Sequence, residues 1–107
     1  DAILSVPNLS GVYVGPGDMS SSYALKPQFD IRKDPVYSNI KMIADKANAC
    51  GKIAGIHNGT SEYAKEMIKI GYKFVTVSSD FRSMSTYAQQ ILNEMKNFND
   101  GNSSTGY

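Results

Sequence analysis

Tryptophan is absent from this 107-residue chain, and cysteine and histidine occur once each. A single thiol, Cys50, excludes an internal disulfide and leans towards a reducing compartment. Excess charge is also lacking. Eleven basic residues against ten acidic ones leave a net charge of +1, which gives no electrostatic case for nucleic acid or an acidic membrane surface. No apolar run approaches the roughly 20 residues that span a bilayer. No charged leader followed by an apolar stretch is visible, so the chain is expected in the cytoplasm. It opens on Asp1 rather than Met, and the native start is expected upstream. Glycosylation sequons at Asn8, Asn58 and Asn102 are read as chance matches in a chain rich in Asn, Ser and Thr. What remains is 41% hydrophobic and 20% charged, the balance of a soluble globular chain with one core rather than two.

Local patterns alternate between two periods. Val12-Tyr13-Val14, bracketed by Gly11 and Gly15, reads as a short buried strand. Gly15-Pro16-Gly17-Asp18 is a turn with strong backbone demands, and Met19 to Asp34 reads as a loop holding at most a helical turn. Asp34-Pro35 predicts a helix start, with Asp at the N-cap and Pro at the first helical position. Val36, Ile40, Ile43, Ala44 and Ala47 form its apolar stripe, and Gly51 ends it. Ile53 to Ile56 predicts a second strand, with His57 at its end. Thr60 caps the next helix, in which Ala64, Met67 and Ile68 are expected to face inward and which Gly71 stops. Phe74-Val75-Thr76-Val77 predicts a third strand. Asp80 is placed as the cap of a last helix with Met84, Ala88, Ile91, Leu92 and Met95 on one face. Met67, Met84 and Met95 are assigned to helix cores. Residues 99 to 107, rich in Asn, Ser and Gly, are expected to be a disordered tail.

Strand–helix alternation three times over predicts an α/β fold with parallel strands, joined by right-handed crossovers and apolar on both faces. Asn58-Gly59 would suit a hairpin, but the residues after it keep a helical period. Three units do not close an eight-unit barrel, which takes about 250 residues. Composition leaves open whether the chain is a small open sheet or part of something larger.

Gly11-Val12-Tyr13-Val14-Gly15-Pro16-Gly17-Asp18-Met19-Ser20 resembles the strand and turn that HpcH/HpaI aldolases, relatives of citrate lyase β chains, write roughly as G-[VI]-[FY]-[VI]-G-P-x-D-[LM]-S. The resemblance continues in register through Asp34-Pro35, Ala49-Cys50-Gly51-Lys52, Gly55-Ile56, Gly71-Tyr72-Lys73-Phe74-Val75 and Val77-Ser78-Ser79-Asp80, covering about residues 1 to 96. It implies a partial (β/α)8 TIM barrel. Residues 1 to 98 would be the C-terminal portion, with the sixth, seventh and eighth units. It implies that Asp18 is a ligand of a divalent metal, Mg²⁺ or Mn²⁺ and less usually Co²⁺. The amides of Gly17 and Asp18 would hold the pyruvate carboxylate, with Gly15 and Pro16 shaping the turn. The metal would chelate the carboxylate and keto oxygens of pyruvate and stabilise the enolate. His57 departs from the apolar residue the family often carries there, and would meet a polar acceptor aldehyde or its carboxylate.

Plainer roles stand beside these. From the turn alone, Asp18 reads more readily as a helix cap than as a metal ligand. His57, with no partner visible in the sequence, reads equally as a structural histidine. Gly15-Pro16-Gly17 lacks the spacing of the common phosphate-binding loops. Cys50 and Ser78-Ser79-Asp80 read as inert or capping residues. The resemblance also implies absences: the family's second metal carboxylate, a Glu, its catalytic Arg and its His–Asp base have no counterparts in these residues. The expectation is a metal-dependent aldolase that cleaves 4-hydroxy-2-oxo acids to pyruvate and an aldehyde, hexameric as a whole enzyme, with this stretch inactive alone. The alternatives are an acyl-CoA lyase of the citrate or malyl-CoA lyase type, and a non-catalytic half-barrel that binds a partner or self-associates.

Overall fold

Every strand of the chain is followed by a helix, as the computed structural model, which describes residues 1–99, makes plain. The expected disordered tail lies, past Asn99, outside the described residues. In chain order the elements are β1 (Gly11–Val14), α1 (Pro16–Ser22), α2 (Val36–Ala49), β2 (Ile53–Asn58), α3 (Ser61–Ile70), β3 (Phe74–Val77) and α4 (Asp80–Lys96). The strands form one sheet in the order β1-β2-β3, all parallel. Val14 pairs with Ile56, and Ile56 with Val75. Three parallel βα units are the expected section of a (β/α)8 barrel, and Asn58-Gly59 leads into α3 rather than into a hairpin.

Helices α2 and α3 cover one face of the sheet. Val14, Ala54 and Ile56 meet Val36, Ile40, Ala44 and Ala47 of α2 and Tyr63 and Met67 of α3; Leu4, Ile31 and Tyr72 close the same core. Two buried tyrosines donate their hydroxyls to backbone carbonyls, Tyr63 to Ile31 at 2.6 Å and Tyr72 to Ile40 at 2.7 Å. Their rings fill the core while no phenol is left unpaired. Burial raises the pKa of both.

The opposite face carries Tyr13, Ile53, Gly55, His57, Phe74 and Thr76 by strand parity. No helix covers it. Tyr13 is 52% exposed and Phe74 57%. Expecting both faces to be buried was therefore wrong for these three units, because five further strands would be needed to wrap that face into a barrel interior. Gly55 lets two rings meet there. A Cβ at Gly55 would lie 3.0 Å from the Tyr13 ring and 3.2 Å from Phe74, whose rings pack edge-on at 5.9 Å.

Several boundaries differ from the sequence reading. The Gly-Pro-Gly-Asp stretch is not a turn followed by a loop; it begins α1, with Gly15 at the N-cap and Pro16, which needs no amide partner, just inside. Helix α2 starts at Val36, one residue later than expected. Asp34 instead accepts from the amide and hydroxyl of Ser38, across a cis Asp34–Pro35 bond. Thr60 caps α3 as expected, but Ser79 rather than Asp80 caps α4. On α3 the inward residue is Tyr63, one turn before Met67, while Ile68 is 53% exposed. Residue 68 turns about 100° away from 67, off the face that 63, 64 and 67 define. Strand β2 runs on to Asn58, whose buried amide donates to the carbonyls of Ile56 and Thr76, so that sequon is closed to a glycan.

Helix α4 buries none of its residues. Met84 and Met95, assigned to a core by their spacing, are exposed along with Leu92. Its apolar stripe is real as a pattern and has no partner within the described residues. In the isolated chain, Ile40→Ala should therefore lower the unfolding free energy by about 2–5 kcal/mol, as a buried large-to-small change does, while Met84→Ala should change it by less than about 0.5 kcal/mol. Denaturant unfolding of both variants measures this, and equal losses would mean that α4 is covered in solution.

Glu66 ties α3 to the first turn of α2 and to the segment before it. It accepts from Tyr37 at 2.7 Å and from Arg32 at 2.8 Å. The Tyr37 hydrogen bond, then the Arg32 pair, hold its carboxyl below the ordinary value of 4.5. A depressed carboxylate pKa contributes stability above the unfolded value that is lost as pH falls through the folded one. Glu66→Gln should thus flatten the pH dependence of stability on the acid side of pH 4.5, read from melting temperatures across that range.

Candidate active site

Parallel pairing fixes which end of the sheet carries polar groups. Beyond the Val14–Ile56–Val75 row, the next residues are Gly15, His57 and Thr76. All three strands therefore deliver their C-terminal ends to one mouth, where barrel enzymes hold their chemistry. Asp18 stands at this end, in the first turn of α1, and is exposed. Its carboxylate folds back over the N-cap: a Cβ at Gly15 would lie 3.0 Å from Asp18 Oδ2. The first backbone bond into α1 runs from the Met19 amide to Gly15. The amides of Gly17 and Asp18 precede it and have no partner within the helix. Pro16 is buried and its carbonyl accepts from the buried Ser20 hydroxyl at 2.8 Å, which pins the turn from below.

His57 lies half-buried on the open face of the sheet, at the same end as Asp18. Its Nδ1 is 2.8 Å from the Thr76 hydroxyl, and that hydroxyl is also hydrogen-bonded to the Tyr13 phenol. One side chain from each strand thus joins a single polar chain. Phe29 packs edge-on against the His57 ring at 5.7 Å, and the Arg82 guanidinium lies 4.4 Å over Phe29.

The segment that carries Phe29 is held by Asp30, which sits at φ 53°. Its two carboxylate oxygens accept from the Gly59 amide at 2.8 Å and the Thr60 hydroxyl at 2.6 Å. Gly59 is required by this approach, since a Cβ there would fall 2.9 Å from the Phe29 Cβ. The loop after α1 is thereby clamped to the exit of β2, and the Tyr63–Ile31 bond repeats the attachment one residue later.

Of the residues that the sequence singled out, Gly15, Pro16, Gly17 and Asp18 fall together at the start of α1, and His57 shares their end of the sheet. Tyr13, Phe29, Asp30, Thr76 and Arg82 were not singled out. Period-2 parity places Thr76 on the face of His57 only once the β2–β3 register is known, and nothing in the sequence announces the Asp30 clamp. Among the described residues, no three His, Cys, Asp or Glu side chains gather as a metal cluster. Asp18 is a hard oxygen donor suited to Mg²⁺ or Mn²⁺, but it fits one corner of such a shell and not the whole. The surface grooves lie elsewhere, along the polar side of α4 and beside the start of β3, and have no part in this mouth.

Parallel βα units with polar groups gathered at the strand C-termini fit a section of a (β/α)8 barrel. Known proteins specify which. The chain is 34% identical over 92 residues to a hydroxypyruvate/pyruvate aldolase of Rhizorhabdus wittichii, an alignment covering 86% of this chain and 37% of that protein. It superposes on the crystal structure of an HpcH/HpaI aldolase from Desulfitobacterium hafniense with a TM-score of 0.83, at 21% identity, over 94% of this chain and 38% of the other. A HpcH/HpaI aldolase/citrate lyase family protein from Burkholderia cenocepacia gives 0.79 at 26% identity, over 88% and 36%. No protein-family profile matches the chain. The likeness to these aldolases and HpcH/HpaI family structures runs along most of the chain, and the chain spans little more than a third of the length of these relatives.

The Asp30 clamp makes a direct prediction. Asp30→Ala strands the Gly59 amide and the Thr60 hydroxyl and should cost about 1–3 kcal/mol of stability, the range for an unsatisfied partly buried group. Gly59→Ala should destabilise in the same assay by pushing against Phe29. Denaturant midpoints indistinguishable from the parent for both variants would dismiss the clamp.

Proposed function

We propose that this chain is the C-terminal three units of a divalent-metal-dependent pyruvate aldolase, which reversibly cleaves 4-hydroxy-2-oxo acids to pyruvate and an aldehyde in the cytoplasm. The observation that carries this reading is the exposed Asp18 carboxylate over the Gly15-Pro16-Gly17 turn, at the same sheet end as His57. Asp18 would supply one oxygen ligand to Mg²⁺ or Mn²⁺. When bound, the dication supplies Lewis-acid stabilisation of the negative charge that develops on the oxo acid. The chain's own residues do the rest of the positioning. The amides of Gly17 and Asp18, unpartnered within the helix, would hold the oxo acid's carboxylate, and the missing side chain at residue 17 would let it approach. Pro16 and the Ser20 bond keep that turn in one shape before any ligand arrives. His57 faces the side where the aldehyde half would lie.

Catalysis needs more than these residues provide. A single carboxylate holds Mg²⁺ weakly, and the resemblance places the second metal carboxylate, the catalytic arginine and the His–Asp base outside these residues, so the remaining ligands and acid–base groups would come from the other units of the barrel. Those units would also cover the open face of Tyr13 and Phe74, and the bare stripe of α4 would meet a neighbouring subunit in a hexamer. The short link between Asp18 and Pro35 favours an aldolase over an acyl-CoA lyase.

The test is Asp18→Asn in the full-length enzyme. Loss of a charged ligand should weaken Mn²⁺ binding by about tenfold or more and lower the retro-aldol rate with it, on the scale that metal-site substitutions reach. The 107-residue chain alone should show no turnover. Unchanged Mn²⁺ affinity and rate in Asp18→Asn, or turnover by the chain alone, would overturn the reading.

A further inference from the structure

We propose that Phe29 is a fixed wall of the mouth that limits the size of the aldehyde half, and that Asp30 is the positioning residue that holds it there. The proposal rests on the aldolase reading for the reaction, but the wall follows from the contacts of its own loop. The loop after α1 is anchored at both ends: Leu25 packs against the core and Ile31 is buried in it. Between these anchors, residues 26 to 30 pass along the strand ends. Pro27 borders the Asp18 turn, since a Cβ at Gly17 would meet the Pro27 Cβ at 4.0 Å, an ordinary van der Waals contact. Two residues on, the Phe29 ring stands edge-on against His57 at 5.7 Å. The loop thus runs from the end proposed for the oxo acid to the end proposed for the aldehyde.

Phe29 is 46% exposed, yet it is held from three directions. His57 lies against it, the Arg82 guanidinium covers it at 4.4 Å, and Asp30 pins the backbone beside it. A half-exposed ring on a loop gains little from burial and ordinarily keeps its rotamer freedom. Here Asp30 also takes φ 53°, a left-handed conformation that a non-glycine residue adopts where its surroundings impose it. Gly59 lacks the side chain that would crowd the ring's root, because a Cβ there would lie 2.9 Å from the Phe29 Cβ. A ring held this firmly at the mouth of a site occupies its volume in one shape. It stands beside His57, where the aldehyde half would lie, so it bars substituents that need its space. Discrimination by a shaped apolar wall is steep, because a group that does not fit forces its neighbours off their rotamers. Asp30 touches no substrate and acts only through Phe29.

The experiment measures kcat/KM for acetaldehyde and for benzaldehyde in their condensation with pyruvate by the full-length enzyme. The parent should favour acetaldehyde. Phe29→Ala removes a phenyl ring from the wall and should raise kcat/KM for benzaldehyde, shifting the ratio by about tenfold or more. Phe29→Tyr keeps the ring and should keep the ratio. Asp30→Ala should shift it in the same direction, whereas Asp30→Asn, which retains an acceptor for the Gly59 amide, should not. A variant that merely folds poorly gains no activity on benzaldehyde. No gain for benzaldehyde in Phe29→Ala would overturn the wall, and equal ratios in Asp30→Ala and Asp30→Asn would overturn the role of Asp30. Exchange of the pyruvate methyl protons with deuterated water, which needs no aldehyde, separates the two readings. Exchange without the gain refutes the wall alone; absence of exchange in the parent refutes the aldolase reading and the wall with it.

Discussion

A parallel sheet buries both of its faces, because each crossover lays a helix against it or because it curls into a barrel. Here only one face is served. Helices α2 and α3 cover Val14, Ala54 and Ile56, while Tyr13, Ile53 and Phe74 lie open on the other side. Both outer strands also present an unpaired edge, since β2 alone has two neighbours. Open aromatics and open edges are what a section of a closed barrel shows when its remaining strands are set aside. The same constraint explains α4. With β3 at an edge of the sheet, the apolar stripe of α4 finds nothing to cover among the described residues.

Within the covered half, the elements were legible because local signals and burial agreed. The stripe of α2, the Thr60 cap and Gly71 just past α3 each mark a boundary that the core also demands. The errors fall where two local signals competed. Gly-Pro-Gly-Asp carries turn residues throughout, yet Pro at the first helical position and Asp in the first turn suit a helix start equally, and the helix won. Ser79 and Asp80 are both good caps, and the side chain that reaches an amide three residues on is Ser79. Tyr63 is not among the residues that the α3 stripe of Ala64, Met67 and Ile68 marks as inward. Its hydroxyl reaches the Ile31 carbonyl, and that contact removes the obstacle to burying it.

The site was legible in halves. Asp18 and its turn follow one another in sequence, so a short motif contains them. The groups around His57 come from residues 13, 29, 76 and 82, and only the pairing register and the Asp30 clamp bring them together. A histidine without a sequence neighbour looks structural; the same histidine hydrogen-bonded through Nδ1 to a side chain of the next strand is part of a polar group that spans the sheet. That distinction depends on Thr76, a residue whose type says only that it suits a strand.

The two halves also differ in what holds them. The turn at Asp18 is shaped by Pro16 and Ser20 within one short helix. The His57 group depends on three strands and a loop, so its geometry is bound to the sheet itself. The two groups are thus held independently, since no hydrogen bond links them among the described residues.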